Sequence, residues 1–345
     1  MAEAAAGTAA TGSSPVSKGV AFVRDYLGIG VLYVVFFVVA FMLAAYLTFP
    51  YDRLRGYILD KIEASTKGRP DAFHVELGEL SPSLLTGVVL TDVDVRRRAA
   101  DSASEAEQTT LHFDEVTARV SLWSLLMRAP KVNFTAKVGE GELEGSYKQD
   151  GDAQEIESEI DSLDVGKLGL GTFIGVPLKG RATGTLQLSM PAEAQKTTGD
   201  VELKISGLRI GDGKAKLVMP GLRSGMTLEE VDAGSLDLAI KAANGSAELV
   251  RFATDGKDLK IHGDGSIRLA NPMRRSRPDV QLEMKLSDAY KQKTDRTKAL
   301  FEILAMQPDW QRATGTDGSL NLHVTGTLQT PRATPGGTLR TPRKH

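Results

Sequence analysis

Histidines and carboxylates are the side chains with which this chain could bind a metal ion or transfer a proton. A helix brings two histidines to one metal when they are four residues apart, as in HExxH, and a strand does so in HxH. The five histidines show neither spacing; they are His74, His112, His262, His323 and His345. The first four lie in polar positions of strand-like segments, which is typical of solvated side chains. Asp92 and Asp94 share a strand face as a catalytic pair would, but Arg96 shares it too, which favours a charged, solvated surface.

Motifs for phosphate binding and nucleophilic catalysis are missing from the sequence. It contains no GxxxxGK[ST] loop and no GxSxG turn. The segment Gly169–Gly175 is glycine-rich, but its spacing is one residue too long for a dinucleotide loop, and Pro177 follows where a helix would begin. The chain has no cysteine, which excludes disulfides, thiolate metal sites and cysteine nucleophiles. We therefore expect a non-catalytic protein without a cofactor or a bound metal.

The charge balance argues against nucleic acid as a partner. The chain carries 42 Lys and Arg against 44 Asp and Glu, a formal net charge of −2, so there is no strong positive field. Ten of the 20 aromatic residues lie between Phe22 and Tyr57, which leaves few to stack on bases. Two short basic runs, at 96–98 and 274–277, suit either solvated turns or contact with lipid headgroups or an acidic partner.

An uncharged stretch from Leu27 to Phe49 predicts a transmembrane helix. As a helix it would be about 35 Å long, enough to cross a bilayer. A cleaved signal peptide would have a shorter apolar core ending in small residues, and a buried core helix would also be shorter. We assign residues 1–24 to a disordered stub and residues 25–50 to the helix. A simple positive-inside count would leave the large domain in the cytoplasm, but it does not fix the orientation, because long domains are translocated largely regardless of charge.

Residues 51–66 predict a second, amphipathic helix next to the membrane. Leu54, Ile58 and Ile62 recur at helical spacing, opposite charged residues such as Asp60. A solvated linker helix without lipid contact is the alternative.

Period-two alternation dominates the rest of the chain and predicts strands with one apolar and one polar face. The clearest runs are Val132–Val138, Thr185–Met190, Val201–Ile205, Leu236–Ile240, Val280–Leu286 and Leu320–Val324. Turn residues separate the strands, as at Gly139-Glu-Gly141, Asn244-Gly245, Asp255-Gly256 and Asp264-Gly265. We therefore predict a mainly β domain over residues 70–329, built as an antiparallel meander of about a dozen strands.

Few helices and one irregular tail complete the chain. Helices are predicted at 121–127 and at 289–307, the second ended by Pro308. Residues 330–345 combine three prolines with four Arg and Lys residues and no acidic residue. This composition predicts a disordered basic tail.

A long sheet with little helix to cover it must fold over, pack on a second sheet, or leave its apolar face as a groove. An aliphatic groove would suit acyl chains. Its candidate lining residues occupy the apolar positions of four strands: Leu203, Ile205, Leu238, Ile240, Leu282, Met284, Leu286, Leu322 and Val324. A closed sandwich, in which these residues are simply core, is the alternative.

The residues that follow the apolar stretch carry a family resemblance. Phe49-Pro-Tyr-Asp-Arg-Leu54, followed by Leu77-Gly-Glu-Leu-Ser-Pro-Ser-Leu-Leu-Thr-Gly-Val-Val-Leu-Thr-Asp-Val-Asp-Val95, resembles type II secretion system protein N (GspN) in its form from myxobacteria and related deltaproteobacteria. Later units, such as Gly199–Gly207 and Thr325–Pro331, are similar to AsmA-like repeat proteins, whose bent sheets enclose an apolar groove.

The resemblance implies a single-pass bacterial inner-membrane protein with a cytoplasmic N-terminus and a long, bent, groove-like antiparallel sheet in the periplasm. It implies a non-catalytic component of the type II secretion system that scaffolds or assists export and contacts other secretion components. The alternative is an AsmA-like protein that binds or transfers lipids in its groove. Neither family supplies catalytic, cofactor-binding or metal-binding residues.

Overall fold

A computed structural model describes most of the chain from residue 73 onwards. The described residues are 73–83, 86–97, 109–121, 124, 129–169, 171, 176–214, 216–219, 222–227 and 229–336, with positions 36, 37, 40, 53, 56 and 60. The predicted stub, transmembrane helix and amphipathic helix therefore lie almost wholly outside the described residues. Within the described part, no helix is both long and apolar enough to cross a membrane.

Seventeen strands account for most of the described chain. They are β1 (Phe73–Glu76), β2 (Leu80–Ser83), β3 (Gly87–Arg97), β4 (Thr109–Val120), β5 (Lys131–Val138), β6 (Gly141–Asp150), β7 (Ala153–Asp164), β8 (Leu178–Met190), β9 (Thr198–Ile210), β10 (Lys216–Met219), β11 (Leu222–Thr227), β12 (Val231–Ala243), β13 (Ser246–Thr254), β14 (Leu259–Arg268), β15 (Arg277–Leu286), β16 (Leu320–Gly326) and β17 (Pro331–Pro335). Fifteen of them form one antiparallel sheet in chain order, and β10 and β11 form a separate hairpin between β9 and β12. The prediction of a mainly β, antiparallel meander is confirmed.

The structure has more strands than the alternation predicted, and several of the predicted strands are longer. Strands β6, β7 and β13 escaped prediction because small or polar residues, such as Gly145 and Ser158, occupy apolar positions and interrupt the pattern. The turn predicted at Asp264-Gly265 is wrong, since both residues lie inside β14. Gly265 is needed there because a Cβ would come within 2.3 Å of the Asp279 carbonyl oxygen on β15.

The helical segment after β15 is broken where one helix was predicted. It forms α1 (Asp288–Lys291), α2 (Asp295–Ala305) and α3 (Pro308–Ala313). Thr294 starts α2 with a capping box, in which the Thr294 and Thr297 side chains each bond the other's backbone N–H. Pro308 does end the preceding helix, but it also begins α3, at a position where its missing N–H costs nothing.

The predicted disordered tail is wrong over its first residues. Pro331–Pro335 form β17, which pairs with β16 from Gly326 to Leu322. Proline is tolerated there because β17 is an edge strand, whose outer N–H groups have no ladder partner. Residues 337–345 lie outside the described part of the chain.

The two ends of the strands differ in how they are connected. Short turns at 151–152 and 244–245 lie at one end, which we call the open end. The other end, which we call the closed end, carries the three segments 165–177, 211–230 and 287–319. The first and third of these connectors supply side chains to the closed end of the sheet: Val165, Leu168, Tyr290 and Phe301.

Three residues near the closed ends of their strands have a left-handed backbone conformation. Ser162 in β7, Gly207 in β9 and Gly234 in β12 have φ values of 48°, 63° and 68°. Beyond each of them the buried positions change parity, so that Ile205 and Leu208 are both buried although three residues apart. Such bulges bend a strand and raise its twist, and here they turn the closed end into a core.

That core centres on Tyr290 of α1. It contains Val138, Leu163, Val165, Ala182, Ile205, Leu208, Val231, Ala233, Leu259 and Tyr290. The Tyr290 side chain is 1% exposed, its hydroxyl donates to the Glu229 carbonyl at 2.8 Å, and its ring meets Phe301 edge to face with centroids 6.4 Å apart. Burial, reinforced by the charges of Asp258 and Glu229, raises the pKa of Tyr290 to about 12.

We expect this tyrosine to make the fold sensitive to alkali. Its pKa lies above the unfolded value of about 10, so its contribution is fully present below pH 10 and is lost as pH rises towards 12. Tyr290→Phe keeps the ring and should flatten the fall in unfolding free energy over this window, measured by urea denaturation. Equal slopes for both proteins would contradict the assignment.

Candidate functional site

The strand register aligns apolar side chains into rows that cross the sheet. The row nearest the core, row A, comprises Leu80, Leu90, Val116, Ala136, Leu143, Ile160, Gly184, Leu203, Leu238, Phe252, Gly263, Leu282, Leu322 and Pro335. Every member is apolar or glycine. Gly263 leaves room for its neighbour, because a Cβ there would lie 2.6 Å from the Phe252 ring.

Row B lies two residues further towards the open end. It comprises Val88, Ala118, Phe134, Gly145, Ser158, Leu186, Val201, Ile240, Leu249, Gly265, Val280, Val324 and Ala333. Ser158 is its one polar member. At 4.7–4.9 Å between strands, such a row is about 55–60 Å long.

Row C completes the surface at the open end. Its members are Val120, Val132, Tyr147, Ile156, Leu188, Gly199, Ala242, Ala247, Ile267 and Pro278. We call rows A, B and C together the apolar face. It is about 13 Å wide along the strands. Apart from Ser158 and three aromatic residues, Phe134, Tyr147 and Phe252, its members are aliphatic residues, prolines or glycines.

The structure places all nine sequence-predicted groove residues on this side of the sheet. Leu203, Leu238, Leu282 and Leu322 belong to row A, Ile240 and Val324 to row B, and Ile205, Met284 and Leu286 lie nearer the core. Only Ile205 is buried, and the other eight are partly exposed. Leu203, Met284 and Leu286 also pack against the closed-end core.

Sequence reasoning missed the half of the apolar face that strands β3 to β8 contribute. Leu90, Val116, Leu143, Ile160 and Leu186 carry it. Alternation in β4, β5 and β8 was a usable signal, whereas in β6 and β7 it is interrupted. Only the pairing register shows that these five strands continue the apolar rows of the later strands.

The opposite face of the sheet is charged. Cross-strand ion pairs line it, such as Lys137 with Glu115 at 3.0 Å and Arg251 with Asp237 at 2.7 Å. Glu230 accepts from Lys179 at 2.7 Å and from Arg209 at 3.1 Å, and the Lys179 bond is the main reason that its pKa is lowered. Solvent screens exposed pairs of this kind, so this polar face contributes solubility more than stability.

Two histidines pair with aspartates on exposed parts of the sheet. His112 Nδ1 lies 2.8 Å from Asp94 Oδ1, and this hydrogen bond raises the pKa of His112. His323 Nε2 lies 2.6 Å from Asp279 Oδ1. Arg96, which shares a strand with Asp94, pairs with Glu76 at 2.9 Å. Among the described residues, no three His, Asp or Glu side chains are arranged to hold a metal ion.

In comparisons with known proteins, no family, no curated sequence and no solved structure matches this chain. The functional interpretation therefore depends on the geometry and chemistry of the apolar face.

Because the apolar face is partly exposed, we expect truncation of its side chains to cost less unfolding free energy than truncation of core side chains. Leu163→Ala, in the closed-end core at 4% exposure, should cost about 2–5 kcal/mol of unfolding free energy. Leu238→Ala, on the partly exposed face, should cost less than half as much because its side chain already meets solvent. Chemical denaturation measures both. Equal losses would mean that the apolar face is ordinary core.

Proposed function

We propose that the protein binds the acyl chains of lipids along the apolar face. The observation that carries this proposal is the continuity of rows A and B across the sheet. The two rows together contain only one polar residue, Ser158. The whole apolar face, rows A, B and C together, covers roughly 55–60 Å by 13 Å, which exceeds the few hundred Å² of a typical exposed apolar patch on a soluble protein. Large apolar surfaces of this kind mark sites of interaction.

The side chains that line the apolar face favour acyl chains over sugars or bases as ligands. Leucine, isoleucine and valine dominate the surface, and its three aromatic residues, Phe134, Tyr147 and Phe252, are too few and too scattered over different strands to form the stacking platforms that bind sugars and bases. Each methylene that moves from water onto such a surface contributes about 0.8 kcal/mol. The length of the face exceeds the roughly 30 Å thickness of a bilayer core, so it would accommodate several chains in line.

The cellular setting is part of the same proposal. The apolar stretch from Leu27 to Phe49 would anchor the chain in the bacterial inner membrane, with the sheet in the periplasm, as the resemblance to protein N and AsmA-like proteins implies. An anchored, groove-like sheet is suited to holding lipids or passing them along its length.

A photoactivatable phospholipid, with its reactive group in the acyl chain, tests acyl binding on the full-length protein. Cross-links should map by mass spectrometry to rows A and B. Ile240→Asn should lower the cross-link yield several-fold, because it puts an amide in the middle of row B. Lys241→Asn changes the adjacent residue on the polar face and serves as the matched control.

Thermal unfolding of both variants separates a lost site from a lost fold. The proposal is wrong if adducts distribute equally over the two faces, or if the two variants bind equally. A purified protein that carries no co-purifying lipid would also count against it.

A second candidate function is assistance to type II secretion, as a scaffold that contacts other secretion components. The part of this resemblance that the structure describes, Leu77–Val95, lies at one edge of the sheet, where Leu77-Gly-Glu79 stays bonded to Thr91 and Asp92 of β3 between β1 and β2. Pro82 lies on this edge, and Pro331 and Pro335 lie on the opposite edge strand. Prolines hinder strand addition, so packing of a face is the favoured mode of contact.

Deletion of the gene from its host tests this second function. Export of secreted proteins should fall and should recover when the wild-type gene is restored. Restoring the gene with Ile240→Asn distinguishes the candidates: full recovery supports a scaffold independent of lipid, and no recovery supports a role through the apolar face. Unchanged secretion and an intact apparatus after deletion would rule the scaffold out.

A further inference from the structure

Two arginines face each other at the open end of the sheet. Arg268, the last residue of β14, pairs directly with Arg277, the first residue of β15. Both are exposed on the polar face. Like charges in directly opposed positions destabilise a sheet, so the pair is unfavourable unless something neutralises it.

No carboxylate among the described residues lies within ion-pair distance of these two guanidinium groups. Asp279, two residues along β15 from Arg277, is engaged with His323 at 2.6 Å. Arg274 and Arg275, exposed in the short 3₁₀ helix between the two strands, add further positive charge. The excess charge is therefore local, although the whole chain is nearly neutral.

The arginine pair borders a cleft of about 880 Å³. Three residues with hydroxyl side chains, Ser246, Ser266 and Thr325, line the same cleft, together with Gln195 and with the paired Asp279 and His323. Two guanidinium groups and several hydroxyl donors around one cavity are the groups that proteins use for phosphate, because the planar forks bind its oxygens in pairs.

A second hairpin in the same chain lacks this charge. The β8–β9 connector also has a proline, Pro191, and a 3₁₀ helix, followed by the buried Thr197 in the place of Ser276. Its first cross-strand pair is Ser189 with Thr198, where the β14–β15 hairpin has Arg268 with Arg277. The β8–β9 hairpin therefore closes without arginines, so closure of the equivalent β14–β15 hairpin does not require them.

We propose that Arg268 and Arg277 form a binding site for a phosphate group, with hydroxyl groups of the cleft as additional donors. The phosphate could be free or carried by a lipid headgroup. The headgroup case rests on the acyl-binding function proposed above, whereas the site itself does not.

Titration calorimetry on the full-length protein in a neutral detergent tests the site with two probes. Inorganic phosphate probes the group alone, and a short-chain phosphatidic acid probes the lipid headgroup. The double variant Arg268→Ser/Arg277→Thr copies the uncharged pair of the other hairpin. We expect at least tenfold weaker binding of whichever probe binds the wild type, with an equal or higher melting temperature.

The same two strands offer a matched control. Lys260 and Lys285 also oppose each other on β14 and β15, nearer the closed end. Lys260→Ser/Lys285→Thr removes the same charge and should leave binding of both probes unchanged. Arginine-dependent binding of phosphatidic acid much tighter than that of phosphate supports a headgroup site, and equal affinities support a site for phosphate alone.

Three results would overturn the proposal. They are no binding of either probe by the wild type, undiminished binding by the arginine variant, and an equal loss in the lysine variant, which would reflect net charge. The acyl cross-linking experiment on the arginine variant keeps the two proposals separate, since cross-links along rows A and B do not require the arginines.

Discussion

The burial of one apolar sheet face is the constraint on which the rest of this structure depends. A single sheet of fifteen strands satisfies its backbone hydrogen bonds within its own ladder, but it cannot seal a face 55–60 Å long by itself. The connectors 165–177 and 287–319, the second of which contains the helices, supply apolar side chains to the core at the closed end of the strands. Stability and exposure are thus divided along the strands, with a packed core at the closed end and partly exposed rows towards the open end.

Bulges in three strands increase the difference between the packed closed end and the partly exposed open end. The bulges at Ser162, Gly207 and Gly234 change which residues face inwards, so that the strand ends beyond them join one core around Tyr290. Without this change of parity, Leu208 would lie on the polar face instead of in the core. The apolar face needs no such support, because its members are held by the ladder and by their neighbours in the same row.

The two faces of the sheet carry different chemistry. On the polar face most charges are paired across strands, as in Arg251 with Asp237, and such pairs leave little net field. The opposed Arg268 and Arg277 depart from this pattern at the open end. An aliphatic surface and a local excess of guanidinium groups therefore occur on opposite faces of one sheet.

Period-two alternation and turn residues in the sequence determined the fold class and the antiparallel order of the strands. They work because strand pleating fixes which neighbours share a face, and because residues such as Asn244 and Gly245 favour the left-handed conformation of a tight turn. The nine groove residues could be chosen on the same basis, since each belongs to a strand with clear alternation.

Only the tertiary structure decided what joins those strands into one surface. The sequence does not encode pairing register locally, so the alignment of Gly145 and Ser158 with Leu186 in row B, and of Arg268 with Arg277, required the assembled sheet. The sequence Asp264-Gly265 is typical of a turn, but in the assembled sheet both residues lie inside β14. Gly265 allows β14 to lie close to β15 there. Contacts between residues distant in sequence settle these positions, because local preferences there are weaker than the packing of neighbouring strands.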